Sequence, residues 1–115
     1  MKRDGQLDYW EMPATGGTLD RMKAFYSEAF RWSFTDYGPT YCAFEEGLEG
    51  GFQADASEAP AAPLPVLFSV NLERTEAVVR AAGGTVTKPI FAFPGGRRFH
   101  FRDPAGNELA VWSER

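Results

Sequence analysis

The sequence predicts an α+β domain built from two modules of the same plan, each a strand, a helix and three further strands. Three observations lead there. Residues 54–65 are an Ala/Pro-rich stretch in which eight of twelve residues are Ala or Pro. The segments on either side of it repeat one order of helical and strand-like patterns, and the strand-like pieces are separated by Gly- and Pro-containing turns. The expected organisation is a single domain over residues 1–115, with module one at about 6–53, a linker at about 54–65 and module two at about 66–114. The alternative is an α+β domain in which the repeated plan is coincidental.

Module one opens with an extended stretch over residues 7–12 and a Thr-Gly-Gly turn, after which Thr18 is a candidate helix N-cap. Met22, Phe25, Tyr26, Ala29 and Phe30 recur at the spacing of one buried helix face, with Asp20, Lys23, Ser27 and Glu28 opposite. Strands follow at 33–37, 41–45 and 50–53. Module two opens with a strand at 66–70, then Asn71 as a cap and Leu72, Val78, Val79 and Ala82 on one helix face, stopped by Gly83 and Gly84. Its later strands are expected at 85–93, 97–102 and 108–112, parted by Pro94-Gly95-Gly96 and by the turn over residues 103–107.

Composition narrows the function classes. Twelve basic residues stand against sixteen acidic ones, a net charge of −4, whereas a nucleic-acid binder concentrates Lys and Arg on one face. No nucleic-acid partner is expected. The longest apolar runs are four residues, as at 90–93 and 109–112, far short of the roughly 20 a membrane helix needs. The first residues run from two basic side chains into polar ones, not into an apolar core of a secretory signal, so a cytoplasmic location is expected. The single cysteine, Cys42, excludes an internal disulfide and a cysteine-rich zinc site, and its apolar strand predicts a buried, inert thiol.

Phe25-Tyr26 followed by Phe30-Arg31-Trp32, Ala82-Gly83-Gly84 after the second helix, and the closing Asp103-Pro104-Ala105-Gly106-Asn107-Glu108-Leu109 together resemble the vicinal oxygen chelate superfamily, which includes glyoxalases, bleomycin-resistance proteins and extradiol dioxygenases. The likeness covers nearly the whole chain. One departure is Arg31, where the family often has Gly at the helix exit. The resemblance implies two modules whose sheets form a cupped half-barrel around a pocket. It also implies where a metal would sit in metal-dependent members: at Tyr9, at about Pro65, at Ala110, and around residues 50–52. Tyr, Pro and Ala are not the converging N and O donors that such an ion needs. No metal and no cofactor are therefore expected.

Strand alternation, taken with the inward positions the resemblance implies, gives a candidate binding set of Tyr9, Glu11, Ser69, Arg98, His100, Glu108 and Trp112. His100 can serve as an acid or base, Arg98 can orient an anion and Trp112 can stack on a planar ligand. The competing reading is that His100 and Arg98 merely pair with Glu11 or Glu108 across strands on a solvated face. Gly95-Gly96 with Arg97-Arg98 offers an anion nest or, more simply, a hairpin turn. Glu11, His100 and Glu108 have the composition of a relocated metal triad, but sequence adjacency favours a His100–Glu108 contact over three-way convergence. Exposed strand edges predict a homodimer. The functional expectation is a glyoxalase/bleomycin-resistance-like protein that binds a small planar or anionic molecule without a metal. The alternative is a metal-dependent glyoxalase-like lyase, isomerase or dioxygenase.

Overall fold

The computed structural model describes residues 2–115, which divide into two compact units: Tyr9–Leu64, and Pro65–Arg115 with the N-terminal residues up to Asp8. The fold class is α+β, and the strand–helix–three-strand order occurs twice.

The first unit carries β1 (Leu7–Pro13), whose first two residues belong to the other unit, then α1 (Leu19–Phe30), β2 (Thr35–Asp36), β3 (Tyr41–Glu45) and β4 (Glu49–Gln53). Strand β4 pairs antiparallel with β3 and parallel with β1, and β2 closes the edge. Alternation splits the two sheet faces. Ala14, Cys42, Phe44 and Phe52 form a buried core, against which Met12, Leu19, Met22, Tyr26, Trp32 and Phe34 pack. The opposite face shows Glu11, Gly51 and Ala43, aligned across β1, β4 and β3. Cys42 is fully buried, as its apolar strand implied, and burial pushes its thiol pKa up.

Helix α1 corrects two expectations. Met22 and Tyr26 reach the core, but Phe25 is 57% and Phe30 61% exposed. Its line of contact with the sheet runs Leu19–Met22–Tyr26, a stripe narrower than the apolar set. Phe25 and Phe30 therefore flank Tyr26 from outside, with ring centroids 5.0 and 6.0 Å from it. Thr18 sits at the N-cap but does not cap, because its hydroxyl donates to the carbonyl of Thr15 at 2.7 Å.

The helix ends at Arg31, with φ 62° and ψ 32°, the only non-glycine residue of positive φ among the described residues. Arginine thus takes the left-handed conformation that glycine adopts without strain. Packing holds it there: the Trp32 ring stacks on Tyr26 at 4.7 Å, and the Arg31 N–H donates to the Ser27 carbonyl at 2.9 Å.

The second unit holds β5 (Leu64–Phe68), α2 (Leu72–Ala81), β6 (Thr85–Phe93), β7 (Gly96–Arg102) and β8 (Glu108–Ser113). Strand β5 begins two residues earlier than the sequence suggested, so Leu64 and Pro65 are strand and not linker. Strand β8 pairs parallel with β5 and antiparallel with β7, and β6 lies outermost. Asn71 caps α2 as expected, accepting from the Arg74 N–H at 3.1 Å. Leu72 and Val79 pack with Phe99, Phe101 and Val111, whereas Val78 stays 56% exposed. Gly83, at φ 105°, ends the helix.

Replacing Arg31 by Gly relieves the left-handed strain and is expected to raise stability by about 1 kcal/mol, or the thermal midpoint by about 4 °C. Differential scanning calorimetry of Arg31→Gly checks this, and an unchanged or lowered midpoint contradicts it.

Candidate functional site

The antiparallel register of β7 with β8 sets Arg98 opposite Trp112, His100 opposite Ala110 and Arg102 opposite Glu108. Directly opposed residues share a face, so these six side chains lie on one side of the sheet. Phe99 and Phe101 lie on the other, buried against α2. Parallel pairing with β5 adds Val66 beside Ala110 and Phe68 beside Trp112. The Trp112 ring meets Phe68 edge-on at 5.3 Å and Phe93 at 6.4 Å, and its Nε1–H donates to Asp8 at 3.0 Å.

Sequence alternation missed Phe91 and Phe93 on this face. Strand β6 slips register on both sides of Lys88, which pairs with His100, so that Phe91 comes opposite Arg98. The available signal was Pro89, which cannot donate to the ladder and marks a bulge in a strand. The slip sends Ile90 to the helix-side core and Phe91 the other way. The Arg98 guanidinium lies over Phe91 at 5.5 Å and over Phe93 at 5.7 Å.

His100 is the chain's only histidine and is 1% exposed. Its Nδ1 lies 3.2 Å from Oε2 of Glu108, the hairpin contact that the sequence favoured. Its Nε2 is buried and has no hydrogen-bond partner among the described residues. The Phe91 ring lies 5.8 Å away, tilted by 36°. Burial, seconded by the positive charges of Arg98 and Lys88, pushes the imidazole pKa down to about 4, against the opposing pull of Glu108. The ring is therefore neutral at neutral pH.

The other candidates are placed differently. Ser69 is buried, but its hydroxyl bonds to Thr75 Oγ1 at 2.7 Å and accepts from the Asn71 N–H at 3.1 Å, which ties it to the start of α2. Tyr9 and Glu11 belong to the first unit, where Glu11 is 3% exposed. The Tyr9 hydroxyl hydrogen-bonds to that of Tyr41, a residue the sequence reading passed over although it shares the Ala43 face of β3. Both phenols rest on Gly51, where a Cβ would collide with the Tyr41 hydroxyl. Arg97 leaves the glycine turn and forms a two-point ion pair with Glu73, at 2.5 and 3.1 Å. This accords with the hairpin reading of that turn.

The positions at which the family holds a metal do not suit one here. Gly51 and Ala110 carry no donor atom, nor does Val66, which stands beside Ala110 where the resemblance implied a position at about Pro65; Pro65 itself turns to the helix side with Leu67, and the Tyr9 hydroxyl is bonded to Tyr41. Among the described residues no three His, Cys, Asp or Glu side chains are grouped to hold an ion. Two surface hollows, of about 270 and 280 Å³, lie elsewhere: one beside α2 against Leu67 and Val79, the other against Trp10 and Trp32.

A histidine whose pKa is lower in the folded than in the unfolded chain makes stability fall as pH falls. The loss is expected to begin near pH 6.5, where the unfolded chain starts to take up its proton, and to level off near pH 4. It amounts to on the order of 3 kcal/mol. Denaturant unfolding of the wild type and of His100→Phe across this range checks it; an equal slope in the variant would refute the assignment.

The family profile described as glyoxalase/bleomycin resistance protein/dioxygenase superfamily matches residues 14–111. Among solved structures, the chain resembles a member of that superfamily from Vibrio splendidus 12B01 (TM-score 0.71, 9% identity, 95% of this chain and 98% of that one). It also resembles the Mn(II)-bound glyoxalase from Novosphingobium aromaticivorans (TM-score 0.67, 20% identity, 99% of this chain and 40% of that one). A third likeness is to methylmalonyl-CoA epimerase from Mycobacterium tuberculosis (TM-score 0.67, 11% identity, 95% and 87%). No match was found among curated proteins. At these identities the solved structures speak for the fold. With the matched profile spanning most of the residues, the chain belongs to the glyoxalase/bleomycin resistance protein/dioxygenase superfamily.

Proposed function

We propose that this protein binds a small planar or anionic molecule on the β7–β8 face of its second unit, without a metal ion, in the manner of the bleomycin-resistance branch of its superfamily. The observation that carries the reading is His100, buried, held by Glu108 through one ring nitrogen and unsatisfied at the other. Buried polar atoms without partners are uncommon in folded proteins and mark places where something outside the chain supplies the bond. The surroundings favour a flat, electron-rich ligand: Phe91, Phe93 and Trp112 offer ring faces and edges, and Arg98 adds a positive charge among them. The absence of donor side chains at Gly51, Val66 and Ala110 supports binding without a metal.

We further propose a cytoplasmic homodimer with no nucleic-acid or membrane partner. A single cysteine accords with a reducing compartment, and no helix among the described residues is long and apolar enough to cross a membrane. The outermost strands β2 and β6 leave ladder groups for a second copy to cover.

Thermal-shift and calorimetric titration with aromatic carboxylates, and separately with Mn(II), Zn(II) and Ni(II), test the binding reading. An aromatic carboxylate is expected to raise the thermal midpoint and bind saturably, and Trp112→Ala to weaken it about tenfold. Stabilisation by a divalent ion, with no response to any aromatic carboxylate, would overturn it in favour of a metal-dependent member.

A further inference from the structure

The geometry around His100 specifies what the ligand must present. A neutral imidazole donates from one nitrogen and accepts at the other, while a carboxylate only accepts. Glu108 lies 3.2 Å from Nδ1 and therefore holds the proton there. The lone pair is left on Nε2, which is buried and meets no donor among the described residues. Leaving such an acceptor unsatisfied costs about 1–3 kcal/mol. The charged groups around the ring limit the remedy. Arg98 shares its face, Lys88 pairs with it from β6, and both oppose a positive charge on the imidazole; Glu108 favours one. A proton from solvent is thus disfavoured at neutral pH, whereas a hydrogen bond from a neutral or anionic molecule adds no charge to the ring.

The same residues constrain shape. Phe91 lies within 5.8 Å of the imidazole and beneath Arg98, and Phe93 links this pair to Trp112. Flat rings fit among aromatic and guanidinium planes with little loss of conformational freedom.

We propose that the molecule bound on this face is a planar ring bearing a hydroxyl or N–H group that donates to Nε2 of His100, and that Nε2 selects it over analogues lacking the donor. The proposal rests on the reading of this face as a binding site and deepens it by naming the ligand class. A site that holds a buried acceptor in place penalises the isostere that leaves it unpaired, which is a stronger filter than a change in apolar contact.

The test uses a matched pair, 4-hydroxybenzoate and 4-fluorobenzoate, alike in charge and nearly alike in size, with only the first carrying a donor. Calorimetric titration of the wild type at neutral pH is expected to give at least about tenfold tighter binding of the hydroxyl compound. In His100→Phe, which keeps a flat ring in the same space, the ratio should fall to about one while 4-fluorobenzoate still binds. Equal binding of the two compounds to the wild type overturns the donor proposal and leaves the binding site standing, whatever the variant does. Failure of both to saturate by about 10 mM would overturn the site itself. A donor preference that persists in a folded His100→Phe protein removes His100 from the account.

Discussion

The pairing of β7 with β8 is the constraint from which the chemistry of the second unit follows. One register sends Phe99 and Phe101 to the α2 side and Arg98, His100 and Arg102 to the other. A slip of one residue would exchange the two sets, turning arginines against Leu72 and Val79 and taking Phe99 and Phe101 out of the α2 core. The hydrophobic burial of Phe99, which is 0% exposed, and of Phe101 thus fixes the position of His100 as firmly as any contact His100 makes itself. The core on one face determines the polar constellation on the other.

Within that constellation burial outweighs ion pairing. A carboxylate at hydrogen-bond distance from an imidazole would in water favour the charged ring. Here desolvation, with the cations at Arg98 and Lys88, reverses the balance and keeps it neutral. The His100–Glu108 contact therefore acts as a neutral donor meeting a charged acceptor, and its consequence is orientation: it chooses the tautomer. On the first unit's Gly51 face, hydroxyls occupy the place a side chain would take. Gly51 lacks a Cβ, and the space that a Cβ would need is taken by the hydroxyls of Tyr9 and Tyr41.

Much of this was legible in the sequence because it depends on local rules. Asn71 reads as a cap and behaves as one, and the alternation over Arg97–Arg102 divides β7 as the structure does. The His100–Glu108 contact follows from a hairpin of known length. What escaped depends on packing or on register. The apolar stripe of α1 includes Phe25 and Phe30, yet only the width of the contact with the sheet decides which members are buried, and periodicity carries no such width. Phe91 was assigned to no face because the slips in β6 break the period of two on which strand reading relies. Ser69 was placed with the site by alternation from the inward position that the resemblance implied at about Pro65, whereas β5 turns Val66 and Phe68 to that face and the start of α2 claims the Ser69 hydroxyl. Arg31 shows the reverse case, in which an unfavourable residue keeps the glycine conformation because Trp32 and Tyr26 stack across the turn.

The central claim is that His100 stands neutral, with its proton on Nδ1 and a lone pair on Nε2. Because it is the only histidine in the chain, a long-range proton–nitrogen NMR correlation of the imidazole needs no assignment by mutation. Recorded on the ligand-free protein from neutral pH downwards, it should show the Nδ1–H tautomer alone, persisting to about pH 5, one unit or so above the midpoint near 4. An Nε2–H tautomer, or an imidazolium already present at neutral pH, would contradict the account.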